Sequence, residues 1–204
     1  MTTAVARAYL AAADTFADLV ERIDPATLRG PGLGDWDLRA LVGHTSRALV
    51  TVVTYFDQPA VNEDIPSPEE YYVRIARVSI DPADIAERGR QAGAALGDDP
   101  VATVRNFVAQ ARAKVEGTPP DALITTIIGG MRAEAYLPTR TFELVVHMLD
   151  IAAATDLPVE LPPEALAQAS HLATEVCVAS GQAPTLLAAM TGRTALPAGF
   201  SIVP

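Results

Sequence analysis

The chain has 204 residues, half of them hydrophobic and only 5 % aromatic, with a mean hydropathy of +0.21. That composition excludes a disordered chain and supports one well-buried core built mainly from Ala, Leu and Val. A net charge of −10 argues against nucleic acid or an anionic membrane as the main partner, since both demand a positive face, although a local positive site remains compatible with it.

Cys177 is the only cysteine, so no intrachain disulfide can form, and a reducing cytoplasm is the expected compartment. Lys114 is the only lysine among 15 basic residues, which together with the abundant Ala suggests a GC-rich genome. The first twenty residues carry Arg7, Asp14 and Asp18 and do not read as a signal peptide. No apolar run approaches the roughly twenty residues that a membrane span requires.

In chain order, Thr3 to Ile23 predicts a first helix, with Val5, Tyr9, Ala12, Phe16, Leu19 and Ile23 recurring at three and four. Asp24-Pro25 ends it, and Gly30 to Gly34 is a loop. Asp37 is the N-cap of a second helix reaching about Phe56, with His44 on the shoulder of its apolar stripe. A polar connection with prolines leads to a short helix over Pro68 to Val78. Asp81-Pro82 and Asp99-Pro100 each start helical pattern, ending near Gly97 and Glu116, and they read equally as one broken helix or two. Leu123 to Ile128 is β-branched, Gly129-Gly130 signals a turn, and Met131 to Leu137 alternates weakly, so a small hairpin or extended excursion is expected. Pro138 then opens the last bundle helix, which stops near Asp156-Leu157-Pro158. A helix over Pro163 to Ser180, a short one over Pro184 to Met190 and an ordered tail to Pro204 complete the chain. The sum is an all-α helical bundle over residues 1–158, with residues 159–204 as a helical extension packed on it.

The chemistry concentrates in the segment from Pro138 to Asp150. Glu143 and His147 lie four apart and leave one face of a helix, with Arg140 three residues before Glu143 and Asp150 three after His147. The other positions are apolar, so these polar side chains form a stripe about a third of the helix wide. Such a stripe reads either as a solvent face or as part of a metal site. With His44 it offers two imidazoles and one carboxylate from two helices, a set of three that suits Zn²⁺, Ni²⁺ or Fe²⁺ and leaves coordination positions open. A hydrogen-bonded boundary histidine is the plainer reading of His44. Asp150 reads as a hydrogen-bond partner of a ligating imidazole or as a surface carboxylate. Arg140 is a candidate contact for an anionic substrate or a surface arginine, and Trp36 a packing anchor or a wall of the pocket. His171 reads as a surface histidine and Cys177 as a small buried hydrophobe.

Two segments resemble a known family. Trp36-Asp37-Leu38-Arg39-Ala40-Leu41-Val42-Gly43-His44 is similar to the W-x-x-x-x-L-x-x-H segment of the DinB-like metalloproteins. Arg140, Glu143, His147 and Asp150 match the R-x-x-E-x-x-x-H-x-x-D motif of the mycothiol-dependent maleylpyruvate isomerase family of actinobacteria, about a hundred residues later as in that family. The resemblance covers about residues 1–158. It implies an up-down-down-up four-helix bundle holding a divalent metal, usually zinc, on His44, Glu143 and His147. The isomerase itself carries a larger second domain, whereas here about forty-five residues follow Pro158. Leu186 to Arg193 and Leu196 to Phe200 look like the ending of a shorter branch. What the resemblance then implies is a metal-dependent enzyme using a low-molecular-weight thiol, mycothiol, for transfer to or isomerisation of a small electrophile. The alternative is a non-enzymatic metal- or ligand-binding module serving as sensor, carrier or dimerisation unit. Beyond the thiol and the electrophile, a second copy of the chain is the one partner its apolar composition suggests.

Overall fold

The computed structural model describes residues 3–78 and 81–203; the expected boundaries at Met1 and Pro204 fall outside them. Eight α-helices and one two-stranded hairpin make up the described chain: α1 (Ala4–Glu21), α2 (Leu38–Tyr55), α3 (Pro68–Ile75), α4 (Pro82–Ala95), α5 (Pro100–Gly117), β1 (Leu123–Thr126), β2 (Gly129–Arg132), α6 (Ala133–Thr155), α7 (Pro163–Ala179) and α8 (Ala183–Met190).

The helix starts are set locally. The side chains of Thr3, Asp37, Asp81 and Asp99 each accept a backbone N–H from the first turn of α1, α2, α4 and α5. α4 and α5 are two helices rather than one broken rod, because Gly97 takes a positive φ of 65° just after α4 and turns the chain.

Helices α1, α2, α5 and α6 form the bundle, α1 and α2 each packing against both α5 and α6. Their directions follow from contacts at known positions. Arg105 near the start of α5 pairs with Asp18 and Glu21 near the end of α1, and Arg112 pairs with Asp14, so these two run antiparallel. The Tyr9 hydroxyl early in α1 donates to the Ala48 carbonyl late in α2. Arg39 at the start of α2 reaches Gly97 before α5, and Asp57 after α2 pairs with Lys114 late in α5, so α2 and α5 are parallel. Arg22 after α1 donates to the Pro158 carbonyl after α6, which makes those two parallel as well. The order is up-down-down-up, the expected arrangement.

The core is continuous across the bundle, with Phe16, Leu41, Leu49, Val104, Leu144 and Met148 among its fully buried side chains. α4 lies across α2 at unusually short range: a Cβ on Gly43 would meet the Gly93 amide nitrogen at 2.2 Å. α7 packs on α1, α3 and α6 and adds Ala165, Ala169, Leu172 and Val176 to the same core.

Two boundaries differ from expectation. The hairpin turns at Ile127 and Ile128, with Gly129 and Gly130 already in β2, because Gly130 passes so close to the Asn62 carbonyl that a Cβ would stand 2.0 Å from it. α6 begins at Ala133 and contains Pro138 instead of starting there. Five residues into a helix, a proline forfeits one i→i−4 bond, and the hairpin that delivers Ala133 to Ala122 fixes the helix start upstream of it. Among the described residues no helix is long and apolar enough to cross a membrane.

Candidate metal centre

His44 comes from α2, and Glu143 and His147 from one face of α6, which packs beside it. One ligand atom from each of the three lies within 4.8 Å of the other two. The imidazoles of His44 and His147 meet edge to face with centroids 5.0 Å apart. His147 Nε2 stands 3.4 Å from Glu143 Oε2.

Each donor is held by a second group. The His147 Nδ1–H donates to Asp150 Oδ2 at 2.9 Å, which leaves Nε2 facing the other donors. The Tyr72 hydroxyl, on α3, donates to Glu143 Oε1 at 2.7 Å and leaves Oε2 turned toward His147. Trp36 covers the His44 ring with centroids 4.4 Å apart, and its own Nε1–H is anchored on the Ala86 carbonyl of α4. A Cβ on Gly89 would strike the Trp36 ring at 2.3 Å, so the α4 backbone sets where that indole sits.

The protonation states follow from burial and charge. Burial, helped by the facing His147, pushes His44 down to about 4, so it is neutral at physiological pH. Its Nδ1 is buried with no hydrogen-bond partner among the described residues. Burial works against charge on His147 too, yet Asp150 and Glu143 together outweigh it and raise that imidazole to about 9. Glu143 is held down at about 2 by His147, Arg140 and the Tyr72 hydroxyl, against the opposing effect of burial. A neutral imidazole with an unpartnered buried nitrogen, a carboxylate and a second imidazole that is kept cationic by carboxylates form a set that a divalent cation fits. The cation would take the place of the His147 proton as the positive charge among these groups.

The three donors line a cavity of about 500 Å³ between α2, α3, α4 and α6. Its walls are largely apolar and aromatic, with Trp36, Tyr55, Tyr71, Tyr72 and Tyr136, and its charged lining comprises Arg47, Arg88, Arg140 and Glu143 beside the histidines. A second cavity of about 390 Å³ around Pro119 and Pro120 contains neither histidine nor cysteine.

Of the residues singled out in the sequence, Trp36, His44, Arg140, Glu143 and His147 line this one cavity, and Asp150 stands directly behind His147. Arg140 is buried and not a surface arginine. His171 is exposed and pairs with Glu175 on the surface of α7, and Cys177 is fully buried. Sequence reasoning missed Tyr72 altogether, since nothing in a short Glu-Glu-Tyr-Tyr helix announces a partner seventy-one residues away. It also missed Arg47, although the spacing His44, Arg47, Thr51 places all three on one face of α2.

A search of curated proteins and one of solved structures each find no match. The family model described as mycothiol maleylpyruvate isomerase N-terminal domain matches residues 9–152, a stretch that includes all three donors.

Proposed function

The chain belongs to the mycothiol maleylpyruvate isomerase N-terminal domain family, and from that membership we propose that it is a divalent-metal-dependent enzyme acting through a low-molecular-weight thiol. Mycothiol is the thiol that the family's name suggests, Zn²⁺ the metal that the family resemblance implies, with Ni²⁺ and Fe²⁺ equally suited to the donor set, and the reaction is transfer to, or isomerisation of, a small electrophile. The observation that carries the reading is the convergence of His44, Glu143 and His147 at the side of a cavity large enough for a small molecule.

When bound there, a divalent metal supplies the positive charge that makes a thiolate accessible near neutral pH. The chain's own residues do the rest. Asp150 fixes the tautomer of His147 and Tyr72 fixes the rotamer of Glu143, so both donors are in place before any ligand arrives. Trp36 and the tyrosine wall give the space beside the donors a largely apolar surround, in which charge interactions are stronger than in water. A thiolate sulfur adds to one carbon of an electron-poor double bond held against that wall, and the π pair moves onto the conjugated acceptor. After rotation about the resulting single bond the pair returns, the double bond re-forms and the C–S bond breaks to expel the thiolate, giving an isomer. Protonation of the adduct from solvent, or displacement of a leaving group that departs with its bonding pair, gives a transfer product.

The test combines elemental analysis of the purified protein with thiol consumption over a panel of electrophiles, comparing wild type with His44→Ala. One equivalent of metal and a rate loss of at least ~100-fold in the variant are expected. Metal retained without any thiol-dependent turnover would favour a binding module instead, and equal rates would reject the role given to His44.

A further inference from the structure

We propose that the outer half of this cavity is a seat for a saturated hydrocarbon chain, so that the small molecule reaching the three donors is an alkyl-bearing one. That the chain belongs to the electrophile rests on the function proposed above; the seat itself stands on separate observations.

The wall of the cavity is zoned. Its inner end is aromatic, with Tyr71, Tyr72 and Tyr136 all buried. Its mouth is ringed by branched aliphatic side chains that arrive from five separate segments. Leu33 comes from the loop before α2, Ile75 and Val78 from the end of α3, Ile85 from α4, Ile127 from the hairpin turn and Val203 from the segment after α8. Leu33, Val78, Ile85 and Ile127 are between 36 % and 60 % exposed. Apolar side chains scattered singly over a surface carry no message, but a contiguous group does. Eleven large ones are exposed among the described residues, and these four border one opening. None of the four belongs to the buried core, so folding gains little from their being apolar.

Shape and charge select the occupant. The opening leads into a cavity of about 500 Å³, within the range of small-molecule sites and too narrow to admit a folded partner. Of the chain's 25 acidic residues only Glu143 lines it, and Tyr72 and His147 engage both its oxygens, so a cationic occupant finds no counter-ion at the mouth. Arg88, one turn after Ile85 on α4, directs its Nε to the Asp84 carbonyl of its own helix. Leu, Ile and Val side chains offer neither a π face nor a hydrogen-bonding group, so what they recognise is apolar area alone. A flexible saturated chain supplies that area. Because the donors lie deeper than the rim, the reacting group enters first and the chain fills the mouth behind it.

Trp36, the only tryptophan, lines the cavity, so its fluorescence reports occupancy. Titration of the full chain with 1-butanol, 1-hexanol and 1-octanol tests the seat, in protein loaded with one equivalent of Zn²⁺ and in protein stripped by chelator. Affinity is expected to rise ~3-fold or more per added methylene in both preparations. Val78→Ser and Ile127→Ser, at exposed positions outside the core, each lower 1-octanol affinity by ~5-fold or more and change that of 1-butanol by less than ~2-fold. Either variant decides should the other fail to fold. Leu187→Ser, at an exposed leucine of α8 that does not line the cavity, leaves the series unchanged. Affinity that does not grow with chain length overturns the proposal. So does growth that survives both rim variants, which would put the chain elsewhere. Sedimentation of the same samples covers the rival occupant: a dimer that Ile127→Ser dissociates, with no dependence on chain length, would give the rim to a second copy of the chain and overturn the seat. Neither thiol nor electrophile enters the titration. A flat series beside intact thiol-dependent turnover therefore rejects the seat alone, and a rising series without turnover rejects the thiol chemistry alone.

Discussion

A cation bound as proposed would compete with protons for the same three side chains. His44 is already neutral above about 4, and Glu143 is ionised above about 2, whereas His147 keeps its proton up to about 9. Metal binding at pH 7 must therefore displace the His147 proton, and apparent affinity should climb close to tenfold per pH unit from pH 6 to 8 and flatten above 9. Calorimetry in buffers of different ionisation enthalpy should count about one proton released per metal at pH 7; a count of zero would contradict the cationic His147. In the metal-free protein the raised value of His147 carries the opposite sign for folding. Its contribution is fully present below its unfolded value near 6.5 and is lost as pH rises through about 9. Tyr72 belongs to the same scale. Removing its hydroxyl in Tyr72→Phe frees Glu143 Oε1 and should weaken metal binding by ~10–100-fold while α3 stays folded, as read by competition with a chromophoric chelator. Unchanged affinity would reduce Tyr72 to a packing residue.

α2 and α6 bring the donors together, but α4 decides how closely the donor end of α2 is gripped. Gly43 sits against the α4 backbone, where a Cβ would meet the Gly93 nitrogen at 2.2 Å and the Ala92 carbonyl carbon at 2.4 Å. No side-chain rotation relieves a backbone clash, so Gly43→Ala should cost ~1–3 kcal/mol and lower the melting temperature. Since Gly43 adjoins His44 and α4 also anchors Trp36, the same variant should lose metal affinity; thermal unfolding with and without chelator reads both effects. A variant that melts with the wild type would mean the two helices separate at little cost. The hairpin and Pro138 make a related point about α6. A proline near a helix start in the sequence marks the first residue only when nothing else sets the start, and here β2 sets it five residues earlier.

Across the molecule, α7 joins the bundle's core instead of standing apart from it, resting on α1, α3 and α6. Its removal uncovers apolar surface on both bundle helices and loosens α3, which carries Tyr72. A chain ended after Pro158 should therefore unfold at a lower temperature, with a broader transition, and should bind metal more weakly than the full chain. Identical melting and metal affinity would show residues 159–204 to be dispensable for the site.

The local rules were legible in the sequence. Apolar residues at three and four spaced out the helices, Asp37, Asp81 and Asp99 marked their starts, and the polar stripe with Glu143, His147 and Asp150 stood out because i, i+4 neighbours must share a face. These are interactions within one turn of helix, which the order of residues dictates directly. Only the tertiary structure decided that His44 meets that stripe at 5.0 Å, that Tyr72 reaches Glu143, and that Arg140 is buried among tyrosine rings. Those contacts join positions dozens of residues apart through the packing of α2, α3 and α6, and packing is a property of the whole core, which no short stretch of sequence contains.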